Sequence, residues 1–175
     1  MSQRHDSGPH TISTGTRPLA FLITIRAYAT RLHGDANGSV DKEHNVFGEP
    51  MLSPNASLKR WEASKLRSTS CTFDAGRRQV VRTTIEQTAR LRGWNLYAVN
   101  VRSNHVHFVL TAQEPPERVM NIVKSWCTRR LREAALVASD ERVWVRHGST
   151  RYLWKPAQID AACEYVCEHQ GEDLL

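Results

Sequence analysis

The sequence predicts an α+β fold, an antiparallel sheet with helices packed on it. Three observations carry this expectation. Segments rich in β-branched and aromatic residues interleave with segments of helical periodicity, in the order strand, helix, strand, strand, helix, strand region, helix. The two middle strand segments are joined only by Arg102-Ser103-Asn104, a turn-forming tripeptide that implies an antiparallel hairpin. The chain has 175 residues, 40% hydrophobic and 24% charged, which suits one domain with its own core.

Taken in order, residues 1–17 are polar, rich in Ser, Thr, Gly and His, and read as a disordered tail. They lack the apolar stretch of a signal peptide. The mean hydropathy of -0.51 and the absence of a long apolar run exclude a membrane-spanning helix, so the expected location is the cytoplasm, with no membrane partner. Residues 18–175 read as one domain. Pro18 to Tyr28 is a buried strand. Residues 33–57 carry Gly, Pro, Asn and Asp at short intervals and read as a long loop or insertion. Residues 58–67 suit a short basic helix.

Asp74 is a candidate N-cap for a helix over 75–92, with Val80, Val81, Thr84, Ile85, Thr88 and Leu91 as its apolar stripe and Gly93 as its stop. Residues 94–101 and 105–111 are the hairpin strands. Pro115-Pro116 opens a helix over 116–135, with Val119, Ile122, Val123, Trp126 and Leu131 inward. Arg142–Arg146 and Thr150–Trp154 read as a short strand pair around His147-Gly148-Ser149. A last helix spans 156–169. The succession resembles a ferredoxin-like layout with an added C-terminal helix.

The chain holds 24 Lys and Arg against 18 Asp and Glu, a net charge of +6. An excess of this sign points to a polyanion such as nucleic acid as partner. Its distribution is uneven. Arg77, Arg78, Arg82, Arg90 and Arg92 face a single Glu86 in the first long helix, and Arg118, Lys124, Arg129, Arg130 and Arg132 face Glu117 and Glu133 in the second. After Lys155 there is no Lys or Arg, only Asp160, Glu164, Glu168, Glu172 and Asp173. Basic helices suit a phosphate backbone, whereas an acidic last helix repels one unless a cation lies between them. A charge run is also what any solvated helix face shows. The four cysteines read as reduced thiols, and Cys163 and Cys167, four apart, have no second pair to complete a zinc site.

His105-Val106-His107 is the sharpest local pattern. In a strand both imidazoles point to one face while Val106 points to the other, so the two can share a metal ion. Two satisfied surface histidines give the same pattern. Tyr165 and His169 lie four apart and share a face of the last helix. His169 would supply a third ligand, with Gln170 as its rival, and Tyr165 would stand one turn away. A packed tyrosine and a histidine favoured by the helix C-terminus are the plainer alternative. Leu32-His33-Gly34-Asp35 reads as a turn with a structural histidine.

The segment Ser103-Asn-His-Val-His-Phe-Val-Leu110 resembles the HUH motif (His, hydrophobic, His) of single-tyrosine transposases, which include insertion-sequence transposases and REP-associated tyrosine transposases. Ala162-Cys-Glu-Tyr-Val-Cys-Glu-His-Gln170 resembles their final helix, in which a nucleophilic tyrosine precedes a metal ligand by one turn. Val143 to Trp154 resembles the strand region between. The resemblance runs from about Pro18 to Gln170. Many relatives carry Gln or Asn where His169 stands, and the loop at 33–57 is longer than a minimal family core.

The resemblance implies an enzyme that cleaves and rejoins single-stranded DNA. Tyr165 would attack the scissile phosphate, leaving a 5′-phosphotyrosine link and a free 3′-hydroxyl. Mg²⁺ or Mn²⁺ held by His105, His107 and His169 would offset the charge building on the phosphate and help ionise the phenol, which in an unperturbed tyrosine titrates at about 10. Arg77, Arg78, Lys124, Arg129 and Arg130 would contact the DNA. The expected partners are single-stranded or hairpin DNA, with a homodimer left open. A non-catalytic, domesticated protein binding single-stranded or hairpin nucleic acid keeps the basic helices without needing Tyr165.

Overall fold

The computed structural model describes residues 17–30, 55–64 and 70–168. The expected tail up to residue 16, most of the expected loop, the end of the short basic helix, His33, Asp35, His169 and Gln170 lie outside the described residues.

Four strands form one antiparallel sheet: β1 (Ala20–Ala27), β2 (Asn95–Val101), β3 (His105–Thr111) and β4 (Trp144–Leu153), in the order β2-β3-β1-β4. With helices α2 (Ala75–Arg92) and α3 (Pro116–Glu133) as crossovers, this is the ferredoxin-like arrangement. Helix α1 (Ala56–Ser64) precedes them, and α4 (Pro156–Glu168) closes the described chain. None of these helices is long and apolar enough to cross a membrane.

Strand alternation splits the sheet into two unequal faces. Phe21, Ile23, Ile25 and Ala27 of β1, with Val106, Phe108 and Leu110 of β3, pack against α2 and α3 through Val81, Ile85, Ala89, Val119, Val123, Cys127 and Leu131. Each fully buried large side chain here contributes about 1.5–3 kcal/mol. The other face carries only a small cluster, Ala20, Ala98, Val109 and Leu153, covered by Ala162 and Val166 of α4. That face is where polar side chains alternate with the core.

The helix ends follow the sequence. Asp74 caps α2, its Oδ1 accepting from the Arg77 amide at 2.8 Å, and Gly93 ends it at a left-handed φ of 68°. Asn55 caps α1 by accepting from the Ser57 and Leu58 amides at 3.1 and 3.0 Å, so helix begins at Ala56 where loop was expected. Leu91 and Trp126, both expected inward, are exposed. Leu91 sits in the last turn of α2, beyond its buried run. Trp126 flanks the inward Val123 and Cys127 and instead has the Arg129 guanidinium 5.5 Å over its ring.

The expected strand pair around His147-Gly148-Ser149 is in fact one continuous strand, β4. Gly148 marks a close approach rather than a turn, since a Cβ there would come within 2.5 Å of the Thr24 carbonyl and 2.8 Å of Met120 Sδ. The register between β1 and β4 shifts between Ile25 and Ala27, which places a bulge in β4 just before this glycine. The bulge breaks the alternation, and the carbonyls of Val145, Arg146 and His147 all accept from Lys124 Nζ, at 2.9, 3.2 and 3.1 Å.

Candidate active site

His105 and His107 open β3, immediately after the Arg102-Ser103-Asn104 turn. That turn is held in place by the Ala27 amide donating to Asn104 O at 2.9 Å and the Phe73 amide donating to Ser103 O at 2.7 Å. Val106, between the histidines, is fully buried on the α2–α3 face. The two imidazoles therefore share the opposite face, with ring centroids 4.6 Å apart and planes at 78°.

Both rings are oriented by hydrogen bonds at Nδ1. His107 Nδ1 lies 2.7 Å from Thr24 Oγ1, its cross-strand neighbour on β1. His105 Nδ1 donates to Asn104 Oδ1. The carbonyl-type acceptor on His105 puts its proton on Nδ1. Thr24 allows the same tautomer at His107, which turns the lone pair of Nε2 outward. His107 is 7% exposed. Burial, then His105, Arg26 and Arg102, push its pKa from 6.5 down to about 3. It is a neutral imidazole at any physiological pH.

Helix α4 lies across this face. Ala162 and Val166 seat it on Ala98, Val109 and Leu153, and Asn100 Nδ2 donates to the Val166 carbonyl at 2.8 Å. Asn100 pairs with His107 across β2 and β3, so the helix is fastened beside the histidines. Tyr165, adjacent to Val166, brings its ring centroid to 5.6 Å from that of His107 at 75°, and remains 43% exposed. Its phenol is thus reachable from solvent beside the imidazole pair.

A pair of imidazoles, each oriented by a hydrogen bond at Nδ1, suits a divalent cation as two ligands. No group of three His, Cys, Asp or Glu side chains able to hold a metal occurs among the described residues, and both candidates for a third ligand, His169 and Gln170, lie beyond them. Cys163 and Cys167 form no such group either; burial, with Cys167 and Asp160 nearby, raises the Cys163 thiol.

The five residues expected to contact DNA are not brought to this face. Helices α2 and α3 pack on the other side of the sheet. Lys124 is a correction: it is 8% exposed, its ammonium donates to three carbonyls of β4, and burial lowers its pKa. Arg77 donates to the Leu136 and Thr72 carbonyls at 3.0 and 2.8 Å, bracing α2 against its surroundings. Arg129 and Arg130 both bond Glu133, at 2.8 and 2.9 Å. Arg78 is half-buried.

The charged and polar neighbours that do share the histidine face escaped sequence reasoning. Thr24 pairs with His107, Arg26 with His105, and Asn100 with His107 from the far side. Arg151 of β4 pairs with Leu22 on the same face. A local signal existed in β1, where Thr24 and Arg26 occupy alternate positions of an otherwise apolar strand.

No curated protein matches the chain in sequence. A solved structure of a REP-associated tyrosine transposase bound to a REP hairpin is similar over 95% of this chain and 70% of that one, at 12% identity and a TM-score of 0.47. The profile described as "Transposase IS200 like" matches residues 64–167, more than half of the chain and the span that holds His105, His107 and Tyr165. An antiparallel sheet carrying a histidine pair on one strand, with a tyrosine helix laid over it, is in this chain the fold of a member of the IS200-like transposase family.

Proposed function

We propose that this transposase-family chain cuts and rejoins single-stranded DNA through a covalent link to Tyr165. The observation that carries the proposal is the 5.6 Å approach of the Tyr165 ring to His107, on the face where His105 also lies. His105 and His107 would hold Mg²⁺ or Mn²⁺, with His169 or Gln170 as third ligand. Bound there, the cation supplies Lewis-acid stabilisation of the negative charge that develops on the phosphate.

The chain's own groups do the rest. Tyr165 Oη loses its proton to solvent and attacks phosphorus. The bond from phosphorus to the 3′ oxygen breaks, that oxygen takes up a proton as a hydroxyl, and the 5′-phosphate stays on the tyrosine. One phosphate ester replaces another, so a different 3′-hydroxyl can reverse the step and join new ends without ATP. Arg26, beside His105, and Arg151, two positions along β4 from the row of His107, are placed to meet phosphates flanking the reacting one. Arg78, Arg129 and Arg130, on the far helices, would touch only DNA distant from the cut.

The test is adduct formation with a hairpin oligonucleotide labelled at its 3′ end, in Mg²⁺ or Mn²⁺. Tyr165→Phe removes one oxygen and keeps the ring, so DNA binding persists and the denaturant-resistant adduct disappears. An adduct formed by the Phe variant would assign the nucleophile elsewhere. Cleavage by the wild type with no adduct would make water the nucleophile. Binding with neither cleavage nor adduct would leave the non-catalytic alternative.

A further inference from the structure

The outer rim of the sheet carries a second feature that, Arg151 apart, the chemistry at Tyr165 does not use. β4 pairs with β1 on one side and, among the described residues, is the edge strand on the other. From Arg142 to Ile159 the sequence has Arg142, Arg146, Arg151 and Lys155 and no carboxylate. Arg146, Arg151 and Lys155 are exposed. At the end of this strand Tyr152 and Trp154 are 44% and 48% exposed, yet ordered against each other, their rings stacked at 6.3 Å and 22°. Phe21, buried in the core, meets Tyr152 edge-on at 5.6 Å and 83° and fixes the inner ring of the stack.

We propose that this rim binds an unpaired stretch of the DNA substrate, with a base stacked on the Tyr152–Trp154 pair and phosphates along Arg146, Arg151 and Lys155. The identity of the substrate rests on the DNA-cutting function proposed above. Three physical points select this occupant. Aromatic faces accept any base that is not already stacked in a duplex. Cations without intervening carboxylates suit a phosphate chain and repel a second copy of the same strand. The rim also leads to the histidines: Ser149 pairs with Thr24, which pairs with His107, and Tyr152 lies about 10 Å further along the strand. Alternate residues of β4 point to opposite faces, so a strand passing around the edge meets Arg151 on the histidine side and Tyr152 on the other.

The experiment measures binding of full-length protein to a labelled oligothymidine and to a blunt hairpin lacking unpaired flanks, by fluorescence anisotropy across salt concentrations. Tyr152→Ala and Trp154→Ala should each weaken oligothymidine binding about ten-fold and leave the blunt hairpin unchanged. Trp154→Phe should restore most of the affinity, because a stacking face is retained. The aromatic variants should keep the wild-type salt dependence, whereas Arg146→Gln with Lys155→Gln should flatten it. Wild-type oligothymidine affinity in both alanine variants overturns the proposal, as does an equal loss on both DNAs or a Trp154→Phe loss matching Trp154→Ala. Adduct formation at saturating DNA separates the two proposals. Adducts with unchanged binding in the variants sink the platform alone; selective binding loss with no wild-type adduct sinks the cutting chemistry alone.

Discussion

Thr24 ties the histidine pair to a strand some eighty positions earlier in the chain. Its hydroxyl is 2.7 Å from Nδ1 of the buried His107. Thr24→Val keeps the shape and removes the oxygen, leaving a buried ring nitrogen without its partner, at about 1–3 kcal/mol of stability. Loss of the group that orients His107, a proposed metal ligand, should also raise the Mn²⁺ needed for half-maximal adduct formation by about 10–100-fold. A Mn²⁺ titration that superimposes on wild type would reduce Thr24 to a packing residue. Lys124 makes the converse point. Lys124→Met should lower the urea midpoint by an amount equivalent to about 1–3 kcal/mol, because three β4 carbonyls lose their donor, while the salt dependence of DNA binding stays as it was. A flatter salt dependence would instead return Lys124 to the DNA surface. The two residues show what a single sequence reveals. His105-Val106-His107 is legible because its period is local. Thr24 and Lys124 are not, because their roles depend on which strand lies opposite and which helix packs above, and neither is written within a few residues of the site.

Of the three helices packed on the sheet, α4 has the smallest apolar seam. It rests on the small cluster of Ala20, Ala98, Val109 and Leu153, and Asn100 of β2 fastens it by donating to the Val166 carbonyl. Asn100→Ala should therefore loosen the tyrosine helix without touching the cations proposed to meet DNA. The expected outcome is slower adduct formation at saturating DNA, unchanged DNA affinity, and faster amide exchange confined to α4. Unchanged exchange in α4 would show that the apolar seam alone holds the helix. The boundaries of α2, β2 and β3 and the start of α4 could be read from caps, periodicity and turn residues, all of them local. β4 could not. Gly148 beside His147 and Ser149 carries the composition of a turn, but its lack of a side chain is used to admit Met120 and the Thr24 carbonyl. In the bulge before it, three carbonyls turn to Lys124 of α3, a partner that lies outside the strand's own sequence. The cations of β4 and those of the helices are equally plain in the sequence, and only the sheet order shows which of the two border the histidines.

At the scale of the whole molecule, the described residues close one sheet face with two helices and the other, the histidine face, with one. The closed face sets the bulk of the stability, and the histidine face makes it sensitive to acid. His107 titrates at about 3 in the folded chain against 6.5 when unperturbed, because the charged form would lie buried beside His105 and near Arg26 and Arg102. Between those values the unfolded chain binds a proton that the folded chain refuses, so stability falls as pH drops. The contribution is fully present above pH 6.5 and is lost progressively towards 3. Glu114 and Glu133 also have lowered pKa values, through hydrogen bonds from Trp94 and from Arg129 and Arg130 respectively, and their contributions are likewise lost in acid. They lie away from His107, so they are common to wild type and a His107→Gln variant and cancel in the difference between them. Urea midpoints of the two proteins, measured with chelator present, should therefore converge as pH falls through the upper part of this window, with wild type declining faster. Parallel curves from neutral pH down to 5 would show that His107 accepts its proton without strain, and that the seam between the sheet and α4 is far wetter than its burial implies.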